Sequence, residues 1–340
     1  MSNESRIGFL RAGGDPAAIG AALGRHARAA VRERLVPSAP WQACAVRADS
    51  PQLAAMRDWV AVQHPRILRE LEGLADGLDL PFAQVFAWNC RGEIAAAPDG
   101  CTTVMLPGPR PRIAHNEDGL PQLDGHCFLA EIAPDDEPGF TAFCYPGSLP
   151  GHAFAVTGAG MVQTVNNLRL RVRDARAPRM VLGRAVLAAS DPKAALGVLR
   201  TAPAGAGFHF ALAQAGRAEI LSVEFGAGRV SQRVVTGPEL HANHALHHPG
   251  GCADQVVTDS SRDRQAHGTA LLESGVRDPL TVLHDEGGPG LPILRADPDD
   301  PDDENTLATA VFDIGADDVN WRVHERREAK ACHVHRLARS

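Results

Sequence analysis

The chain has 340 residues, 44% of them apolar and 22% charged, with 34 Lys and Arg against 41 Asp and Glu for a formal charge of −7. Its length, at about 150 residues per domain, gives a prior of two domains or one large α/β unit. It offers no run near the ~20 apolar residues of a membrane helix, and no concentrated basic face for nucleic acid. The opening MSNESRIGFLRAGGDPAAIG lacks a basic stretch followed by an apolar core, so the expected compartment is cytoplasmic, without export.

In chain order, Asp15 as cap and Pro16 in the first turn lead into Ile19, Leu23, Ala27, Val31 and Leu35, an i, i+4 line that predicts an amphipathic helix. Ser50-Pro51 opens a second helical stretch that continues beyond Pro65, and a third runs from about Pro81 toward Asn89. The first hundred residues read as largely helical. At Asp99-Gly100-Cys101 the pattern changes to short β-like runs: TTVML, RIAHNED, HCFLAEIA, FTAFCYPG, HAFAVTG and MVQTVNN, which predict an antiparallel meander. Two helices, PRMVLGRAVLAAS and DPKAALGVLRTA, precede the strands GFHFALAQ, AEILSVEFG and RVSQRVV, read as another sheet. A helix around Arg262–Leu272, an acidic loop and the strands TLATAVFDI and NWRVHER follow. Strand blocks separated by helical blocks predict an α+β layered fold of two antiparallel sheets with helices outside.

Several stretches invite chemistry that their spacing does not support. Gly158-Ala159-Gly160 has Gln163 where a dinucleotide loop needs glycine, and no Walker-type loop occurs. The His241–His248 run lacks a carboxylate or Cys at ligand spacing and reads as surface and turn histidines. The acidic loop Asp297–Glu304 contains Pro298 and Pro301 and reads as solvated, and the basic C-terminal HERREAKACHVHRLARS reads as exposed. Seven dispersed cysteines without a C-x-x-C pair fit neither a disulfide framework nor a zinc ribbon.

Cys101 differs by its setting, Gly100 before it and Thr102 and Thr103 after it at the point where the pattern changes. A thiol there can attack the preceding peptide bond, giving a thioester that water splits. The new N-terminus then carries a thiol of pKa about 8.5 and an amine of about 7.7 to 8.0, nucleophile and base in one residue. Glycine at position 100 is expected to tolerate a strained backbone and leave room on the carbonyl face.

DGCTT, Asn116-Glu117-Asp118, the VNN-L segment with Asn166, LSVEF with Glu224, and the H-x-N-H of His241 to His244 occur in an order that resembles the autoproteolytic cysteine family of N-terminal-nucleophile (Ntn) hydrolases, which includes isopenicillin N acyltransferase. Asn89-Cys90-Arg91-Gly92-Glu93 upstream, and Pro292-Ile293-Leu294-Arg295 and Thr306-Leu307 downstream, extend the resemblance over roughly residues 15 to 325. It implies an αββα sandwich, an α chain of residues 1–100 acting as a helical pro-segment, and a catalytic β chain of 101–340. Cys101 would be the nucleophile for self-cleavage after Gly100 and for turnover. Asn243 would direct its amide NH₂ at the oxyanion. Asp118 would orient the Cys101 amine or meet the substrate's polar end, with Asn116, Thr103, Asn166, Glu224 and Arg295 supporting the site or the substrate. The implied reaction is hydrolysis of a small N-acyl amine or N-acyl amino acid, with no cofactor and no metal. Its implied partners are the small-molecule amide and the companion chain, with a homo-oligomer compatible. An N-acyltransferase using acyl-coenzyme A or an amide donor is the enzymatic alternative, and an uncleaved binding protein of the same fold is the non-enzymatic one. In the acyltransferase an Arg precedes the Thr-Leu segment, whereas here Asp303, Glu304 and Asn305 do, an acidic approach that suits a substrate bearing an amine.

Overall fold

A computed structural model describes residues 6–95, 100–172, 174–250, 252–325, 328 and 330–338. Strand β1 is Gly8–Gly14, followed by helices α1 Pro16–Ala30, α2 Ala39–Ala45, α3 Pro51–Gln63, α4 Pro65–Leu78, α5 Phe82–Asn89 and α6 Arg91–Ile94. Strands β2 Gly100–Leu106, β3 Arg112–Gly119, β4 Phe128–Pro134, β5 Phe140–Cys144, β6 Phe154–Thr157 and β7 Met161–Leu168 come next. Helices α7 Arg179–Val186 and α8 Pro192–Arg200 precede β8 Gly207–Gln214, β9 Ile220–Gly226, β10 Arg229–Val234 and β11 Glu239–His241. The described chain ends with α9 Asp259–Glu273, α10 Pro279–Leu283, β12 Asn305–Ile314, β13 Asp318–His324 and β14 His333–Ala338.

The predicted caps form: Asp15 accepts from the Ala18 amide and Ser50 from the Leu53 amide, satisfying N-terminal donors that a helix leaves open. The Ile19-to-Leu35 apolar line is buried, though its last turn, Val31–Leu35, widens into a π-helix. The strand expectations need three corrections. The predicted meander is divided, because β2 and β3 lie in a six-stranded sheet of order β11-β2-β3-β12-β13-β14 while β4 to β7 lie in an eight-stranded one. The strands after α8 do not start another sheet; β8 pairs with β7 and continues the larger one, order β1-β4-β5-β6-β7-β8-β9-β10. The larger sheet is also mixed, since β1 runs parallel to β4 over Gly8 to Gly14. The basic C-terminal segment is not merely exposed chain, because β14 pairs with β13.

Three apolar clusters define the layers. Met180, Leu182, Leu196 and Leu199 of α7 and α8 pack on Phe208, Phe210 and Phe225 of the large sheet. Leu272, Val282 and Leu283 of α9 and α10 pack on Val104, Leu106, Ala114 and Val311 of the small sheet. Between the sheets lie Met105, Ile113, Phe143, Phe154, Phe312 and Trp321, in one core with Ile19, Leu23, Trp41, Leu71 and Trp88 of the N-terminal helices. The result is the αββα sandwich, with the described N-terminal helices built into its core. Helices α1 and α4 nearly touch: a Cβ at Gly73 would lie 2.1 Å from the Ala17 carbonyl oxygen. Buried Arg184 of α7 ties this helical group to the sandwich through ion pairs to Glu70 at 2.9 Å and Glu137 at 3.1 Å.

Candidate active site

Strand alternation decides what surrounds Cys101. The β2–β3 register pairs Gly100 with Asp118, Cys101 with Glu117 and Thr103 with His115. Side chains two apart share a face, so Cys101, Thr103, His115 and Glu117 point between the sheets while Asn116 and Asp118 point toward α9 and α10. The Cys101 Sγ lies 3.7 Å from Glu117 Oε2. It borders a cavity of about 10 Å³, lined also by Arg91, Glu117, His152, Asn167, Met180 and Phe208. That volume fits one water-sized occupant.

The backbone N–H of Cys101 donates to Asn243 Oδ1 at 2.9 Å. Arg264 of α9, fully buried, donates to the same oxygen at 2.6 Å, to the Cys101 carbonyl at 2.6 Å and to Thr102 Oγ1 at 2.8 Å. Asn243 Nδ2 donates to the Asn167 carbonyl at 3.2 Å. Asn243 therefore turns its oxygen to the Cys101 nitrogen and its amide NH₂ to the Asn167 carbonyl. Burial pulls the Arg264 pKa down, countered by the nearby Asp118 charge. Arg264 belongs to no motif in the sequence, and its proximity to Cys101 arises only when α9 docks on β2.

Asp118 does not reach the Cys101 nitrogen. Its Oδ1 accepts from Thr306 Oγ1 at 2.6 Å, and its Oδ2 is buried with no hydrogen-bond partner. Burial raises the Asp118 pKa, with Arg264 and Arg295 opposing the shift. Asn116 braces the same strand, donating to the Leu283 carbonyl at 2.7 Å and accepting from Thr309 at 2.7 Å.

Space accounts for the glycine at position 100: a Cβ there would lie 2.2 Å from Glu304 Oε2. Glu304 is held at 3.0 Å by both Arg169 and Arg295, and burial pushes its pKa up to about 7 against those cations. Arg295 is completely buried and also pairs with Asp300 and Asp302. Asp300, Asp302 and Glu304 thus wrap a buried guanidinium while Asp297, Asp299 and Asp303 stay exposed, so the solvated-loop expectation holds for only part of the loop and the acidic approach to Thr306 is not free.

A polar chain crosses from one sheet to the other. Thr103 Oγ1 donates to Asn166 Oδ1 at 2.7 Å, and Asn166 Nδ2 donates to the His241 carbonyl at 3.1 Å. His209 Nδ1 is 3.0 Å from Asn166 Oδ1, and its ring stacks on His241 with centroids 3.6 Å apart. Glu224 accepts from His241 at 2.9 Å and from the backbone of Leu246 and His247 at 2.7 and 2.9 Å. Burial works to raise the Glu224 pKa, but these donors outweigh it and hold the carboxyl at about 2. The His241–His248 run is therefore largely structural and inward-facing, with His241, Asn243 and His248 buried. The structure brings Cys101, Thr103, Asn166 and Asn243 together, sets Gly100 and Asp118 side by side on the outer face, and leaves Arg295 behind Glu304.

The sequence reading missed His115. Its Nδ1 lies 2.8 Å from Thr103 Oγ1 and its Nε2 2.9 Å from Glu117 Oε2, and burial pushes its pKa down to about 3. Period-two alternation from the Cys101–Glu117 pair would have found it.

A strand-initial cysteine buried between two sheets, its nitrogen held by a side-chain amide, defines the class: an αββα sandwich with a cysteine-centred polar site. Residues 107–328 match the acyl-coenzyme A:6-aminopenicillanic acid acyl-transferase family, and the chain belongs to that family. Among curated proteins it is similar to the beta-alanyl-dopamine/carcinine hydrolase of Drosophila melanogaster, 30% identical over 164 residues. That match covers 42% of each chain, less than half the length of the relative. Among solved structures, a mutant of conjugated bile acid hydrolase from Clostridium perfringens aligns at 9% identity and TM-score 0.41, covering 70% of this chain and 92% of that one. Penicillin V acylase from Agrobacterium tumefaciens aligns at 14% identity and TM-score 0.37, covering 70% and 86%. No described helix is long and apolar enough to cross a membrane.

Proposed function

We propose that this chain is a self-processing amide hydrolase that cleaves between Gly100 and Cys101 and turns over a small N-acyl amine or N-acyl amino acid through a Cys101 thioester. The observation that carries this reading is the Asn243 clamp on the Cys101 nitrogen, the atom that becomes the α-amine. In self-cleavage Sγ attacks the Gly100 carbonyl carbon, the C–N bond breaks, and the thiol proton ends on the Cys101 nitrogen. Water then hydrolyses the thioester and releases the Gly100 carboxylate. In turnover the amine, held by Asn243 Oδ1, takes the thiol proton as Sγ attacks the substrate carbonyl and returns it to the leaving amine. Asn243 Nδ2 is the proposed oxyanion donor, exchanging the Asn167 carbonyl for the developing charge. The name of the insect relative supports an amide of an amine as substrate. The family description supports the second reading, transfer of the same acyl group to an amine acceptor.

Intact mass distinguishes these from an uncleaved binding protein. Wild type should give fragments ending at Gly100 and beginning at Cys101, and Cys101→Ala the full 36.1 kDa. Asn243→Ala in processed protein should lower kcat by about 10² to 10³. An active wild type of full mass refutes self-processing, and predominant new amide at low millimolar acceptor amine promotes the transferase.

A further inference from the structure

Hydrogen-bond accounting around His115 leaves a gap where a cation belongs. Thr103 Oγ1 has one hydrogen, and it goes to Asn166 Oδ1, whose identity is fixed because Asn166 Nδ2 donates to the His241 carbonyl. His115 Nδ1 must then be the donor to Thr103 at 2.8 Å. A neutral ring protonated there presents the bare lone pair of Nε2 to Glu117 Oε2 at 2.9 Å. Two electron-rich atoms at that distance require a positive centre between them, a proton or a metal ion. The third donor of the same cluster is Cys101 Sγ, 3.7 Å from Glu117 Oε2. One ligand atom from each of Cys101, His115 and Glu117 lies within 4.8 Å of the others.

We propose that Cys101 Sγ, His115 Nε2 and Glu117 Oε2 form a binding site for a thiophilic divalent cation, Zn²⁺ being the best fit, that caps the thiol. Zinc takes thiolate, imidazole and carboxylate at about 2.3, 2.0 and 2.0 Å in a tetrahedron. Those bonds place sulfur and oxygen about 3.5 Å apart and nitrogen and oxygen about 3.3 Å apart. The present separations of 3.7 and 2.9 Å differ from these by only a few tenths of an ångström. The supporting shell is already in place, since the Nδ1–H bond to Thr103, anchored in turn on Asn166, fixes the ring and aims Nε2 at the metal. The cavity bordered by Cys101 and Glu117 has room for a water as fourth ligand. On binding, Zn²⁺ replaces the proton between His115 and Glu117 and the proton of the thiol, and both leave to solvent. Metal binding stands on the cluster alone; its consequence, reversible silencing of the nucleophile, rests on the function proposed above.

The test is equilibrium dialysis of purified protein against Zn²⁺, with Co²⁺ as a spectroscopic probe. One equivalent of Zn²⁺ should bind per Cys101, and Co²⁺ should give a near-ultraviolet thiolate-to-cobalt band with visible bands of tetrahedral intensity. Cys101→Ala, His115→Gln and Glu117→Gln should each weaken Zn²⁺ binding by more than the 10- to 100-fold typical of losing a supporting partner, and Cys101→Ala should abolish the thiolate band. Circular dichroism shows that each variant is folded. Absence of stoichiometric Zn²⁺, or equal binding to wild type and the three variants, overturns the site. Electrophoresis reads self-cleavage in the same samples, so failure of the metal site and failure of the proposed function are seen separately. Where processed protein has measurable amidase activity, Zn²⁺ should inhibit it and a chelator should restore it.

Discussion

Replacing Arg264 by Met keeps the aliphatic stem and removes the guanidinium that joins α9 to β2. The lost interactions are the bonds to the Cys101 carbonyl, Thr102 Oγ1 and Asn243 Oδ1, together with one to Ser260 Oγ at 3.0 Å. A hydrogen bond to a charged group contributes about 1.5–3 kcal/mol, and buried acceptors left behind are not resolvated. Against this, removing a buried charge recovers part of its desolvation cost, and Asp118 loses a nearby cation. Breaking a buried charge network from one side costs on the order of 3–5 kcal/mol, which we take as the expected loss. Urea unfolding should be measured in the Cys101→Ala protein, which keeps the backbone groups of residue 101. There Arg264→Met, Asn243→Ala and the double variant close a cycle, since Arg264 and Asn243 share a bond at 2.6 Å. Residues in contact couple by about 0.5–3 kcal/mol; the charged donor should place this pair above ~1 kcal/mol. Additivity within ~0.3 kcal/mol would refute the claim that Arg264 holds the Asn243 amide in register with Cys101.

The packing makes two further outcomes measurable. Glu304 is raised to about 7 in the folded chain from an ordinary 4.5. Its contribution to stability is therefore full below pH about 4.5 and is lost as pH rises through about 7; Glu304→Gln should flatten the fall of the urea midpoint between about pH 5 and 7, and an unchanged slope would contradict the assignment. Gly73→Ala sets a methyl against the Ala17 carbonyl oxygen, so α1 and α4 must separate, and a loss of about 1–3 kcal/mol is expected by the same unfolding assay.

Most helices and strands are legible in the sequence because their signals are local: Asp15 and Ser50 as caps, and short β-rich runs bounded by turn residues. Helix α2 escapes, and Pro65 breaks the predicted second stretch into α3 and α4. The strands that escape are set by distant chain. Gly8–Gly14 is glycine-rich and becomes a strand only against β4, more than a hundred residues on, and His333–Ala338 needs β13. The division of the meander lies in residues 120–127, where Pro121 and Asp124-Gly125 signal a turn but not that the chain there changes sheets. At the site, Gly100, Cys101, Asn243 and Asn166 are identifiable through their resemblance to a family. Arg264 and His115 are not, since one depends on helix docking and the other on register. The acidic loop misleads because sequence shows its carboxylates but not that Arg295 is enclosed by three of them.

The parallel pairing of β1 with β4 has a consequence for what the proposed cleavage can release. A strand edge left bare offers unsatisfied amides and carbonyls to any neighbouring chain. Residues 8–14 cover the flank of β4 over its whole length. A fragment ending at Gly100 would still carry that cover, so residues 8–14 would stay on as a selvedge of the larger sheet after cleavage. Stripping them away would bare the backbone groups of β4 along its whole length.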